Sequence, residues 1–139
     1  LFRSDTSTGL ISRVPHASGI MDGSFNKDKV YSKDDHRSHR RQKWMESGLD
    51  ARDDFAFLYE DNERTIGQLA ILFPLSVPSI CTVLPNFTNH DEIDEFTAAT
   101  EKTPLSADEI NKIQDLWDNK HYKTLEQPFS NTSTKPTPK

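Results

Sequence analysis

Two short apolar runs constrain the fold of this chain more than any other feature. The first is LISRV at residues 10–14, which stops at Pro15, and the second is SICTVL at residues 79–84, between two prolines. Both are typical of strands, and helical patterns lie between and after them. Strands that alternate with helices predict parallel βα units. Because two parallel strands cannot form a covered sheet alone, the pattern predicts an α/β fold from which strands are missing.

The helical pattern is clearest on either side of the second strand. Apolar residues at i, i+3, i+4 and i+7 predict a helix over residues 65–73, with Asp61 or Asn62 as its N-cap and Pro74 as its end. Another helix is predicted over residues 91–100, after the strand.

Two more helices and a tail complete the pattern. One helix begins near the basic run of residues 36–43 and continues to Leu49. The last helix begins at residues 106–109, a capping box in which a serine and a glutamate each satisfy a free backbone N–H. From about residue 120 the chain is polar and proline-bearing, which predicts a disordered tail over residues 120–139.

Composition excludes several classes of protein. A length of 139 residues fits one domain, and a net charge of -5 argues against a general nucleic-acid binder. Cys81 is the single cysteine, so no internal disulfide forms and a cytoplasmic setting is expected. The uncharged stretch 66–85 contains Pro74 and Pro78, which would break a spanning helix, so no membrane span is predicted. The chain begins at Leu1 rather than at a methionine, which suggests a fragment.

The polar loop before the first helix has alternative interpretations. Its acidic and histidine residues match no zinc spacing, so we predict a solvated loop and no metal site. The adjacent basic run, beside Trp44, is typical of nucleic-acid binding, but flanking carboxylates favour a mixed-charge helix surface. The four residues of metal-binding type are Asp34, Asp35, His36 and His39.

Four segments resemble the aldo/keto reductases in their order and approximate spacing. Each segment is short, so the resemblance depends on their combination, and it covers roughly residues 9–120. The segments are RVPHASGIMDG at 13–23, DDHRS at 34–38, TVLPNFTN at 82–89 and PLSADEI at 104–110.

The resemblance implies a (β/α)8 TIM barrel. Segment 13–23 is similar to the seventh strand and its loop, and segment 82–89 is similar to the eighth strand and the cofactor-binding turn. Residues 1–119 are then the C-terminal part of the barrel, two βα units plus a C-terminal helix. The N-terminal half, which carries the family's catalytic tyrosine, aspartate, lysine and histidine, is expected to be missing. No catalytic residue is predicted here, because only non-catalytic positions align with Tyr31, Tyr59 and Tyr122.

The family's activity is the nicotinamide-dependent reduction of aldehydes or ketones and the reverse oxidation of alcohols. The resemblance therefore implies that the intact parent protein is an oxidoreductase acting on a small carbonyl substrate. This chain alone is expected to be inactive and to supply the phosphate and adenosine side of the cofactor site. The alternative is a non-catalytic nucleotide-binding or interaction module derived from the same barrel.

The predicted cofactor contacts follow the two strands, where barrel enzymes commonly bind phosphate. Small side chains after the first strand let the backbone approach a pyrophosphate, and the turn after the second strand precedes a helix N-terminus that favours anions. An ordinary strand-to-helix loop is the alternative for each. Arg13 stands where family members stack an aromatic ring on the nicotinamide, or else it pairs with a carboxylate from the missing half. The full set is Arg13, Ala17, Ser18, Gly19, Asn86, Thr88, Asn89 and Glu92.

Cofactor choice is predicted from the turn after the second strand. Most family members prefer NADP(H) and hold its 2′-phosphate with basic and hydroxyl side chains. Here Thr88 stands where arginine is common, Glu92 stands where arginine or glutamine is frequent, and Phe96 replaces a polar residue that contacts adenine. Either NADP or NAD is therefore expected, with weak discrimination between them.

The loop before residue 44 has one more interpretation, in which it lies over the cofactor.

Overall fold

Two strands of the described part of the chain lie side by side and parallel. A computed structural model describes residues 8–60, 63–120, 122 and 124–130. Strand β1 (Leu10–Arg13) pairs with β2 (Ile80–Leu84), with an irregularity in the register after the first residue of β1. The parallel pairing agrees with the predicted α/β class. The described residues form a two-stranded sheet, so closure into a barrel stays a prediction.

The described residues form four α-helices besides the sheet. Helices α1 (Gln42–Asp54) and α2 (Ile66–Leu75) lie in the crossover between the strands, and α3 (His90–Thr97) and α4 (Ala107–Lys120) follow β2. Short 3₁₀ turns occur at Ala17–Gly19, His36–His39, Ala56–Leu58 and Ala98–Glu101.

Helix α2 begins and ends differently from the sequence prediction. Its N-cap is Thr65, which forms a reciprocal capping box with Gln68; the predicted caps, Asp61 and Asn62, lie outside the described residues. Pro74 was expected to end the helix but lies inside it. A proline in the last turn removes only one intrahelical N–H, and the amide of Ser76 still donates to Leu72 O at 3.0 Å.

The other helix boundaries follow local hydrogen bonds. The predicted helix near residue 36 is a 3₁₀ turn there, and α1 begins only at Gln42. The predicted helix over 91–100 begins at His90 and tightens into a 3₁₀ turn after Thr97. The capping box before α4 is confirmed, because Ser106 N donates to the Glu109 carboxylate at 2.7 Å and Glu109 N donates to Ser106 Oγ at 3.2 Å.

Helix α2 joins two separate core clusters. Leu69 packs with Leu58 and Leu105, near the start of α4. On the other side of the helix, Ile71 packs with Phe96 of α3 and with Ala99. The second cluster also contacts Val83 of β2, so one face of the sheet is covered by α2 and α3.

Gly67 fixes the distance between α2 and α3. A side chain there would meet Phe96 Cε1 at 2.7 Å and Glu95 Oε1 at 2.8 Å, so the two helices approach too closely for a Cβ atom. The Gln68 side chain also donates to Glu95 O at 3.0 Å. The carbonyl of Gly67 accepts a hydrogen bond of 3.1 Å from Nε2 of buried His16, which follows β1.

The opposite face of the sheet is open. Ile11 is 60% exposed and Leu84 is 49% exposed. Their partners in the register, Thr82 and Arg13, are also exposed. The sheet therefore presents apolar side chains to solvent on the face that points away from α2.

The chain after α4 turns back toward α1. Residues 124–130 contact the start of α1, and the backbone amide of Arg41 donates to Phe129 O at 3.0 Å. The predicted disordered tail covered residues 120–139. Of these, 121, 123 and 131–139 lie outside the described residues.

The uncharged stretch of residues 66–85 does not form one continuous helix. Its helical part ends at Leu75, and a strand follows from Ile80. In the part of the chain that the structure describes, no helix combines the length and the apolar character that a membrane span requires.

We expect the isolated chain to self-associate through the open sheet face, because exposed apolar surface and unpaired strand edges favour association. Ile11→Ser should reduce association at equal concentration, as measured by sedimentation velocity. Ile93→Ser is the matched control, since Ile93 is 40% exposed on α3, away from the open face. A monomeric wild-type chain with a sharp unfolding transition in denaturant would contradict this prediction.

Candidate functional site

The carboxyl ends of β1 and β2 open into a cleft of about 310 Å³. One wall is the loop after β1, which contributes Ser18 and Gly19. The facing wall is the turn after β2, which contributes Asn86, Thr88 and Glu92. Five of the eight predicted cofactor contacts therefore line one cleft, although their residues are far apart in the sequence.

The other three predicted contacts lie outside the lining. Arg13 is exposed at the end of β1, on the open face of the sheet. Ala17 belongs to the 3₁₀ turn beside the cleft, and Asn89 caps α3. Their roles as cofactor contacts stay predictions.

The loop after β1 has an unusual backbone. Val14, Ala17 and Ser18 have φ angles of 53°, 49° and 63°, and Gly19 has a φ of 93°. Residues other than glycine in this left-handed region cost about 1 kcal/mol or more each, so the surrounding contacts must hold them there. One such contact is the hydrogen bond of 2.9 Å from Arg40 Nε to Ser18 Oγ.

The turn after β2 already contains a carboxylate. The Glu92 carboxylate accepts from Thr88 N at 2.6 Å and from Thr88 Oγ1 at 2.9 Å, while Glu92 N donates to Asn89 Oδ1 at 2.9 Å. Burial raises the pKa of Glu92, but the hydrogen bonds from Thr88 and Asn89 outweigh it and leave the pKa below its usual value. The amide of Thr88 is thus bound within the chain, and an anion here would share the turn with Glu92.

A third wall comes from the loop between β1 and α1. It contributes Lys29, His36 and Arg37, none of which was among the predicted contacts. The signal that could have found them is the DDHRS segment, because it contains two of the three. The prediction that the loop before residue 44 lies over the cofactor concerns the same segment.

Arg37 is held in a fixed orientation. Its Nε and Nη2 atoms donate to the Asp35 carboxylate at 2.9 Å and 2.7 Å, and its backbone N–H donates to Asp35 Oδ1 at 2.9 Å. These hydrogen bonds hold the pKa of Asp35 well below its usual range. The guanidinium also lies 4.3 Å from the centroid of the Tyr31 ring. This wall therefore carries a rigid arginine, and the lining of the cleft also includes the carboxylates of Asp22 and Glu92.

The family model described as aldo/keto reductase matches residues 2–118. This chain belongs to the aldo/keto reductase family. The resemblance inferred from the four segments is therefore confirmed. The family is one of oxidoreductases that generally use NAD(P)H, and it implies a carbonyl substrate. No curated protein matches the chain.

Phe96 does not face the cleft of this aldo/keto reductase chain. The resemblance implies that Phe96 occupies a position where other family members have a polar residue that contacts adenine. Its side chain is 3% exposed and its ring lies 4.1 Å from that of His16, centroid to centroid. An aromatic ring at this position therefore fills the core between α3 and the loop after β1.

The acidic loop residues do not form a metal cluster. Asp35 is bound by Arg37, and the ring of His39 is hydrogen-bonded to Lys33 O at 3.2 Å. Across residues 8–60, 63–120 and the described part of the C-terminus, no three His, Cys, Asp or Glu side chains are grouped so that they could hold a metal ion.

Tyr122, Asp54 and Lys120 share residue types with the family's catalytic group and contact one another. The Tyr122 hydroxyl donates to Asp54 Oδ2 at 2.9 Å, and Lys120 pairs with the other carboxylate oxygen. Burial and the bond to Asp54 raise the pKa of Tyr122 to about 12, which makes the phenol a poor proton donor near neutral pH. Tyr122 also lies beyond the family match. These contacts attach the chain after α4 to α1.

We expect Tyr122 to ionise near pH 12 in the full-length gene product that contains this chain. The phenolate absorbance of wild type minus that of Tyr122→Phe would measure its pKa, and Asp54→Asn should lower that pKa toward about 10. Because folding raises the pKa, the interaction stabilises the fold below about pH 10 and is lost as the pH rises through about 12. A pKa near 10 in the folded wild-type protein would contradict the assignment.

Proposed function

We propose that this chain forms the cofactor-binding side of an NAD(P)H-dependent aldo/keto reductase that reduces aldehydes or ketones. The observation that carries the proposal is the cleft at the carboxyl ends of two adjacent parallel strands, where (β/α)8 enzymes hold phosphate groups. The family match supports an oxidoreductase of this kind. The exposed thiol of Cys81 is compatible with a reducing, cytoplasmic compartment, which we propose as the location.

We further propose that β1 and β2 are the last two strands of a (β/α)8 barrel. The open sheet face supports this, because Ile11 and Leu84 would point into the barrel interior. The strand edges on either side of the pair would join strands from the N-terminal half. That half would also supply the family's catalytic tyrosine, aspartate, lysine and histidine.

The donor groups in the cleft fit the phosphates of a nicotinamide cofactor. Lys29 and Arg37 supply positive charge, and the side chains of Ser18 and Asn86 supply a hydroxyl and an amide group. The donors of Thr88 are already bound by Glu92. The cofactor supplies the hydride when it is bound. The residues of this chain would bind and orient it, and Lys29, Arg37, Ser18 and Asn86 would hold its phosphates.

Arg13 lies apart from this phosphate-binding cleft. It is exposed at the carboxyl end of β1, paired in register with Leu84. In a closed barrel that end of the strand would reach the mouth, where the nicotinamide ring would lie. The planar guanidinium is able to stack on such a ring, and it is equally able to pair with a carboxylate from the other half.

Cofactor choice depends on the balance between acidic and basic side chains in the cleft. The carboxylates of Glu92 and Asp22 would oppose a 2′-phosphate, whereas Lys29 and Arg37 would favour it. Glu92 would accept a hydrogen bond from a 2′-hydroxyl. Asp35 already offsets the charge of Arg37. We therefore propose that the intact enzyme uses both NADP(H) and NAD(H) and discriminates between them less than is typical of the family.

We expect Glu92→Arg to raise the preference for NADPH over NADH several-fold, because a repulsion of about 1 kcal/mol at short range is replaced by attraction. Lys29→Ala should change the preference in the opposite direction. Dissociation constants for both cofactors on the full-length protein would measure the effect. Asp91→Asn is the matched control, since Asp91 is exposed on the same helical turn and does not line the cleft. A wild type that binds NADPH a hundredfold tighter, together with no effect of Glu92→Arg, would refute this proposal.

The isolated chain should show no carbonyl-dependent oxidation of NADPH or NADH, because it supplies no catalytic group. Joining it to its natural upstream residues should restore turnover. Steady-state assays that follow cofactor absorbance would compare the two proteins. Turnover by the isolated chain would mean that the catalytic residues lie within it. An intact gene product that binds cofactor without turnover would instead support a non-catalytic module.

A further inference from the structure

The segment after α4 is fastened to the start of α1 by several contacts. We call residues 124–130 the C-terminal clasp. Besides the bond between Arg41 N and Phe129 O, the Arg41 guanidinium donates to Gln127 Oε1 at 3.1 Å and to Pro128 O at 3.1 Å. Trp44 Nε1 donates to Leu125 O at 3.3 Å. The C-terminal clasp therefore binds the N-cap residue of α1 through its backbone and side chain, and Trp44 of the helix through its side chain.

Arg40 connects the C-terminal clasp to the cleft. Its guanidinium lies 4.5 Å from the centroid of the Phe129 ring, within the range of a cation–π contact. Its Nε atom donates to Ser18 Oγ at 2.9 Å. A bridge between Arg40 and Ser130 adds a backbone contact beside the ring. One side chain therefore contacts both the C-terminal clasp and a residue that lines the cleft.

Ser18 is a residue whose position needs support. It is 8% exposed, it lines the cleft, and its backbone is left-handed, with φ 63° and ψ 30°. Because this conformation is unfavourable for a serine, the loop would relax to another one if its contacts were lost. The bond from Arg40 is a contact that fixes the Ser18 hydroxyl from outside the loop.

We propose that the C-terminal clasp sets the geometry of the loop after β1, and that Arg40 and Phe129 are positioning residues for cofactor binding. The proposal rests on the proposed function, since it assumes that the cleft takes the cofactor phosphates. The family match ends at residue 118 and does not include the C-terminal clasp. The proposed role therefore joins Ser18 and Arg40, inside the matched domain, to a segment outside it.

The test uses Phe129→Ala and Arg40→Ala in the full-length gene product. Each should weaken NADPH binding about fivefold, the effect of losing one side-chain hydrogen bond, and raise the KM for NADPH while leaving kcat nearly unchanged. Phe129→Tyr should restore binding, because it keeps the ring under the guanidinium. Phe73→Ala is the matched control, since Phe73 is 43% exposed on α2 and lines no part of this cleft.

Ser18→Ala keeps the test decisive if the other variants do not fold. It removes the same hydrogen bond with a small change in volume. Because Ser18 itself lines the cleft, the readout for this variant is the exchange of the loop amides rather than the dissociation constant. Hydrogen exchange gives a readout without cofactor, because the amides of Gly19 and Met21 both donate to His16 O in this loop. Phe129→Ala should speed exchange in residues 16–25.

The outcomes separate the two proposals. Unchanged exchange in residues 16–25 overturns the positioning role, even when the cofactor binds. Equal weakening by Phe73→Ala, or no rescue by Phe129→Tyr, also overturns it. Failure of the wild-type protein to bind either nicotinamide cofactor overturns the proposed function, and with it the effect on cofactor affinity.

Discussion

The parallel pairing of β1 and β2 is the constraint on which the rest of the structure depends. Because both strands run in the same direction, their carboxyl ends meet at one edge, and the segments that follow them become neighbours. The loop that contains Ser18 and the turn that contains Thr88 are thereby brought to opposite walls of one cleft. A parallel pair also requires a long crossover, which here contains α1, α2 and the loop that carries Lys29 and Arg37.

Charge in the cleft is arranged by local hydrogen bonds. Asp35 orients the Arg37 guanidinium, and Thr88 with Asn89 orients the Glu92 carboxylate. Both arrangements form between residues close in sequence, so each wall keeps its charge in place without contacting the other wall. A ligand between them would meet groups that are already ordered, which lowers the entropy cost of binding.

Local sequence patterns predicted the elements better than their boundaries. The β-branched runs and the helical spacing of Ile66 and Leu69 located the strands and α2, because burial on one face imposes that spacing. The predicted end of α2 at Pro74 was wrong. Helix propensity alone does not show whether continued packing outweighs the one hydrogen bond that a proline removes. The left-handed backbone at Val14 and Ala17 was also unforeseen, since neither residue type favours it.

The candidate site was predictable only in part, for a related reason. Residues directly after strands are placed by topology, so Ser18, Asn86 and Glu92 could be expected at one cleft. Lys29 reaches the cleft because its loop folds back, and Phe129 reaches α1 because the chain returns after α4. Such contacts join residues distant in sequence without any periodic pattern, so only the folded structure reveals them.

Gly67 shows how a residue outside the cleft determines its width. Its missing side chain lets α3 approach α2, and α3 carries Glu92 on its first turn. Its carbonyl binds His16, the residue that begins the opposite wall. The positions of both walls therefore depend on the same peptide unit of α2, and that peptide sets the distance between them. A change in the spacing of those helices would alter the cleft without changing any group that lines it.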